Sequence, residues 1–142
     1  MASSSKRMAS LSSNVGMSIA AELLLELASR YGGDGPTLVL GGEAALANSL
    51  EGERIFAPTD TRERDTSRVP TVSTPNQEYA GTVLIPAPPD RDLLRRQLIV
   101  ASQTVVKGGR ILICGANAEG GKTAIKDASD LLGTPFWSGY RE

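Results

Sequence analysis

Between residues 18 and 31 the apolar side chains of Ile19, Leu23, Leu24, Leu27 and Tyr31 recur every three or four positions, the spacing that lines one face of a helix. Gly32 and Gly33 end it. Residues 37–40 form a short β-rich run closing in Gly41-Gly42, and the helix formers of 44–50 follow, so this part reads as strand, glycine turn, helix. A second strand is expected over 54–59, closed by Asp60. The segment 61–68 is polar enough to predict a surface loop or an exposed helical turn. Residues 69–74 predict a short third strand, which Pro70 and Pro75 confine to an edge position or to its own ends.

The second half is more apolar. Val83, Leu84 and Ile85 stand in series within 81–86, as expected of a strand covered on both faces at the sheet centre. After Pro88 and Pro89, Asp90 is suited to cap a helix running to Val106, with Asp92 in its first turn and Lys107 near its end to complement the dipole. Its expected core stripe is Leu93, Leu94, Leu98, Ile99 and Val105. Gly108-Gly109 ends this helix, 110–114 supplies a fifth strand around Ile111-Leu112-Ile113, and a last helix over 122–132 stops at Gly133. Residues 136–140 could open a sixth strand.

Strands alternating with helices through short glycine turns predict an α/β, Rossmann-like domain, its mostly parallel twisted sheet covered by helices on both faces. A chain of 142 residues can bury one good core, so we expect a single domain over 15–142 behind a disordered or tag-like tail, 1–14. Residues 1–21 hold Lys6, Arg7 and seven serines but no acid, too little basic charge for an organelle leader. The 40% apolar and 22% charged composition is that of a globular chain, and no apolar run is long enough to span a bilayer. Cys114 is the only cysteine and histidine is absent, which excludes an intramolecular disulfide, the common zinc sites, and Ser-His-Asp or Cys-His catalysis. A reducing cytoplasm is the expected setting, with no membrane and no metal among its partners.

The ligand crevice of such a sheet lies at the carboxyl ends of its strands. Two loops there carry candidate chemistry. Gly41 and Gly42 follow the first strand, and Asp60 lies nineteen residues beyond Gly41 at the end of the second. In a dinucleotide or S-adenosylmethionine site, glycines let the helix amino end approach the ligand while an acid on the second strand bonds the ribose. Here only two adjacent glycines are present, so the match is partial and a plain tight turn is the alternative. Ala116-Asn117-Ala118-Glu119-Gly120-Gly121-Lys122-Thr123 fits a loose phosphate-loop pattern with alanine for the first glycine, and a nucleotide-binding enzyme using Gly121, Lys122 and Thr123 is the alternative function. About twenty residues follow Thr123, too few to finish a phosphate-loop sheet, so the expected role of Lys122 and Thr123 is to open a solvated helix.

With 15 basic and 16 acidic residues the net charge is −1, which gives no global attraction to nucleic acid. Residues 90–110 nevertheless hold five bases (Arg91, Arg95, Arg96, Lys107, Arg110) against two acids, and Arg91, Arg95, Arg96 and Lys122 are the candidate RNA contacts. A solvated helix face is the ordinary alternative.

The run Ala80-Gly81-Thr82-Val83-Leu84-Ile85-Pro86-Ala87-Pro88-Pro89-Asp90, the helix after it, and Val106-Lys107-Gly108-Gly109-Arg110-Ile111-Leu112-Ile113-Cys114-Gly115 leading into the loop up to Ala124 resemble the amino-terminal domain of tandem-domain bacterial rRNA guanine-N2 methyltransferases. The resemblance covers 80–133 by motif and 37–70 by element order. It implies a methyltransferase-type Rossmann fold whose first copy has lost its cofactor site and assists folding or RNA recognition, while a partner domain, using S-adenosylmethionine, carries the chemistry. That catalytic copy has an asparagine-proline-proline-aromatic run; here Pro86, Pro88 and Pro89 occupy the strand end with no asparagine. The implied role is therefore scaffolding or rRNA docking with no catalytic residue of its own and no cofactor held, in a chain that forms the first half of a longer protein. Gly41, Gly42 and Asp60 would be a vestigial cofactor site. A ligand-free protein-interaction module is the plainer alternative.

Overall fold

The computed structural model of the chain describes residues 17–42, 44–58, 67–73, 75–115 and 120–133. In chain order they form α1 (Ile19–Tyr31), β1 (Thr37–Leu40), α2 (Ala44–Ser49), β2 (Arg54–Ala57), β3 (Ala80–Pro86), α3 (Arg91–Thr104), β4 (Val105–Cys114) and α4 (Gly120–Leu132). The four strands make one sheet in the order β2-β1-β3-β4, and every pairing is parallel. The expected third strand is reduced to one parallel bridge of Thr71 with Phe56, fixed by Phe56 N–H to Pro70 O (2.9 Å) and Val72 N–H to Phe56 O (3.0 Å). Pro70 only accepts there, and the bridge lies outside β2, the edge position that its missing N–H requires.

Counting that bridge, the chain builds outward from β1 in one direction, then returns to lay β3 and β4 on the other side of β1. This is the order of a Rossmann half-sheet, reversed between β1 and β3. Right-handed crossovers in opposite directions must put their helices on opposite faces. The core obeys this: Val39, Phe56, Leu84 and Leu112 pack with α1 and α2, whereas Leu38, Leu40, Val83 and Ile85 pack with α3. Strand alternation sorts them, since Phe56, Val39, Leu84 and Leu112 stand in one register row across all four strands.

Local chemistry starts and stops the helices. Ser18 caps α1, its hydroxyl accepting from Ala21 N–H at 3.1 Å, and Asp90 caps α3, one carboxylate oxygen accepting from the Asp92 and Leu93 amides. Gly133, at φ 96°, ends α4. Two expected core residues are not in the core. Ile19 is 80% exposed because the buried arc of α1 runs through Ala21, Leu24 and Leu27. Ile99 is 48% exposed because α3 buries Leu94, Gln97, Leu98, Ala101 and Thr104, and Ile99 lies about 160° round the helix from the middle of that arc. Helix α3 also ends at Thr104 rather than Val106, since Val105 already pairs with Ala80. Between that pair and the next, Thr82 with Arg110, β4 carries a bulge that includes Gly108 at φ 82°.

At the amino end of the sheet a tight backbone crossing replaces side-chain packing. A Cβ on Gly81 would run into the Asp34 carbonyl oxygen, so only glycine fits there. The buried Thr82 hydroxyl oxygen beside it accepts from Gly33 N–H at 2.8 Å, tying the α1–β1 connection to β3.

Candidate functional site at the strand-order reversal

Where the strand order reverses, neighbouring connections leave a sheet in opposite directions and open a crevice at the carboxyl ends of the strands. Here that place is bounded by Leu40-Gly41-Gly42 after β1 and Pro86-Ala87 after β3. On the flanks the rim is closed by backbone bonds: Gly41 N–H donates to Ala57 O and Ala87 N–H to Cys114 O, both at 2.8 Å. Between β1 and β3 it is not. Thr82 N–H donates to Pro36 O at 3.3 Å, and parallel rungs recur every second residue, so the amide facing Leu40 O belongs to position 86. That residue is proline and has no N–H.

Gln97 supplies the missing donor. From α3 its side-chain Nε2 donates to Leu40 O at 3.3 Å. This settles the orientation of the amide, because turning it would set two oxygens against each other. Oε1 is left enclosed with no hydrogen-bond partner, on a residue 6% exposed. The net gain from a neutral bond is about 0.5–1.5 kcal/mol, whereas a buried unpaired acceptor costs about 1–3 kcal/mol. Without Gln97 the Leu40 carbonyl would itself be a buried unpaired acceptor, so the glutamine leaves one such oxygen in place of another and adds the bond.

Gly41 and Gly42 adopt φ 70° and 75°, a conformation that side chains disfavour, so the turn needs glycines for backbone reasons alone. A Cβ on Gly42 would lie 2.7 Å from Pro86 Cγ. The Pro86 ring thus occupies the close approach that Gly42 allows, and strand alternation puts it on the Leu84 side, toward α1 and α2. Asp60, the acid expected to complete this site, lies outside the described residues.

Two arginines of the basic helix face are engaged within the chain. Arg91 grips the Asp127 carboxylate of α4 with two bonds of 3.0 Å, Nε to Oδ2 and Nη2 to Oδ1, and Arg95 Nη2 stands 3.5 Å from the same Oδ1. Asp127 is 1% exposed while both arginine side chains are about half exposed. The Arg91 bonds hold the Asp127 carboxyl below the usual carboxylate range, against the opposing effect of its burial, with the charges of Arg91 and Arg95 adding to the shift. Asp127 in turn holds Arg91 more firmly protonated, and Asp130 and Asp92 act on it in the same sense. Beside the five bases and two acids of 90–110, α4 brings two acids, Asp127 and Asp130, and two bases, Lys122 and Lys126, so the surplus of three positive charges is unchanged. Arg96 is exposed on α3. Lys122, with Gly121 and Thr123, falls inside α4, which begins at Gly120; their side chains, and residues 116–119 of the phosphate-loop-like run, are outside the described part.

Gln97 and Asp127 carry no expectation from sequence. A polar residue inside an apolar helical stripe was the available signal for Gln97. Asp127 has none, because its partner lies 36 residues away. Among the described residues no group of acids or cysteine is placed to hold a metal ion, and no helix is long and apolar enough to cross a membrane. No protein-family model matches the chain, and neither curated proteins nor solved structures yield a match.

Proposed function

We propose that this chain is a non-catalytic Rossmann-like domain of the kind that forms the amino-terminal half of tandem-domain bacterial rRNA guanine-N2 methyltransferases, acting as a scaffold for an S-adenosylmethionine-dependent catalytic domain. The observation that carries this reading is the Pro86 ring set against Gly42, where a cofactor would otherwise approach the glycine turn. The strand order with its reversal beside β1 supports the fold half of the comparison. The engagement of Arg91 and Arg95 by Asp127 favours scaffolding over rRNA docking by this face, and leaves Arg96 as the contact to test for RNA.

Calorimetric titration of the full chain with S-adenosylmethionine tests the reading. No saturable heat at millimolar ligand is expected. Micromolar binding would overturn it and restore Gly41, Gly42 and Asp60 as a working site. For the RNA branch, Arg96→Ala should leave any binding of an rRNA fragment unchanged if the domain is a scaffold; a drop with a shallower salt dependence would assign docking to α3.

A further inference from the structure

Gln97 keeps one hydrogen-bonding atom unused at the place where open α/β sheets receive ligands. Its amide nitrogen is committed to Leu40 O, so the atom on offer is Oε1, which can only accept. Any partner must therefore bring an N–H or O–H. Around it the α3 face of the rim is apolar, with Leu40, Ala57, Ile85 and Leu94 buried and Ala87 partly so. Among the described residues the one buried carboxylate, Asp127, is already taken by Arg91 and Arg95, so none of them is free to neutralise a cationic donor stripped of its water there. Pro86, packed on Gly42, stands toward the opposite face of the rim.

We propose that Gln97 Oε1 accepts a hydrogen bond from a compact, uncharged, N–H-bearing molecule of the amide or lactam class, held on the α3 side of the crevice between β1 and β3. Gln97 then has two tasks, its nitrogen completing the sheet and its oxygen reading the ligand. This goes beyond the scaffold reading and does not depend on it, since it concerns neither the Gly42 approach nor S-adenosylmethionine.

The test compares two lactams differing in one hydrogen. Isotope-labelled full chain is titrated with 2-pyrrolidinone and, separately, with N-methyl-2-pyrrolidinone, which lacks the N–H, while the side-chain amide signals of Gln97 and of the exposed Gln103 are followed by NMR. A saturable shift of Gln97 at concentrations on the order of tens of millimolar, as befits so small a ligand, is expected with the first lactam alone, with Gln103 unmoved. Gln97→Met should abolish it, and the lactam comparison on the unaltered chain stands even if that variant fails to fold. Equal shifts with both lactams, no saturable shift with either, or a long-lived water on Gln97 that the lactam does not displace would overturn the proposal. Binding of S-adenosylmethionine would overturn the scaffold reading and leave this result as it stands.

Discussion

The carboxylate of Asp127 on α4, buried to within 1% of its surface, is held by two 3.0 Å bonds from Arg91 in the first turn of α3. Two helices on one face of the sheet are thus locked at the end nearest the carboxyl rim. Asp127→Ala should lower stability by about 1–3 kcal/mol, less than for a fully enclosed pair because Arg91 and Arg95 can return to water. Urea denaturation of the two proteins measures it.

The same pair sets a pH dependence. The Asp127 carboxyl titrates lower in the folded chain than in the unfolded one, where it sits at about 3.9. Its contribution is therefore fully present above that unfolded value and is lost as pH falls through the folded one. Thermal unfolding followed by circular dichroism should show the gap between the natural chain and Asp127→Asn constant from neutral pH down to about 5, then closing in acid. A gap that widens in acid would mean the carboxyl is not held ionised.

Leu98 is fully buried against the sheet while Ile99, its neighbour, is 48% exposed. Leu98→Ala should cost about 2–5 kcal/mol through the cavity it leaves. Ile99→Ala should change stability by less than about 0.5 kcal/mol. Equal losses from the two would place the wrong face of α3 on the core.

Gly42 has two reasons to be glycine, its φ of 75° and its contact with Pro86. The backbone alone makes Gly42→Ala destabilising by about 1–2 kcal/mol, and the ring adds to that. In a Pro86→Ala background the penalty should shrink to the backbone share. A double-mutant cycle reads the difference, and a coupling near zero would show that the ring yields freely.

Thr82→Val keeps the shape and removes the oxygen that accepts from Gly33 N–H. With that amide left unpaired in a part-buried site, a loss of about 1–3 kcal/mol is expected. Faster hydrogen exchange at Gly33 would locate the damage.

The strands and helices were largely legible because each leaves a local signature. Val83-Leu84-Ile85 reads as a strand covered on both faces and lies in the sheet interior; Asp90 reads as a cap and caps α3. Boundaries slipped where pairing competed with helix, as at Val105, which the periodicity of α3 would include but β3 claims. The site was less legible. Gly41 and Gly42 stand at the rim as their spacing suggested, whereas Arg91 and Arg95 of α3 turned out to face a carboxylate from another helix.

Taken alone, the order of apolar and polar residues determined the alternation of strand and helix, and through it a parallel sheet with covered faces, because period and turn chemistry act over a few residues. Only tertiary structure decided that Gln97 would mend the rung Pro86 leaves open, 57 residues from its acceptor, and that Arg91 would close on Asp127, 36 residues away. A hydrogen bond or an ion pair depends on distance in space, and separation along the chain carries no record of which distant groups the packed sheet will bring together.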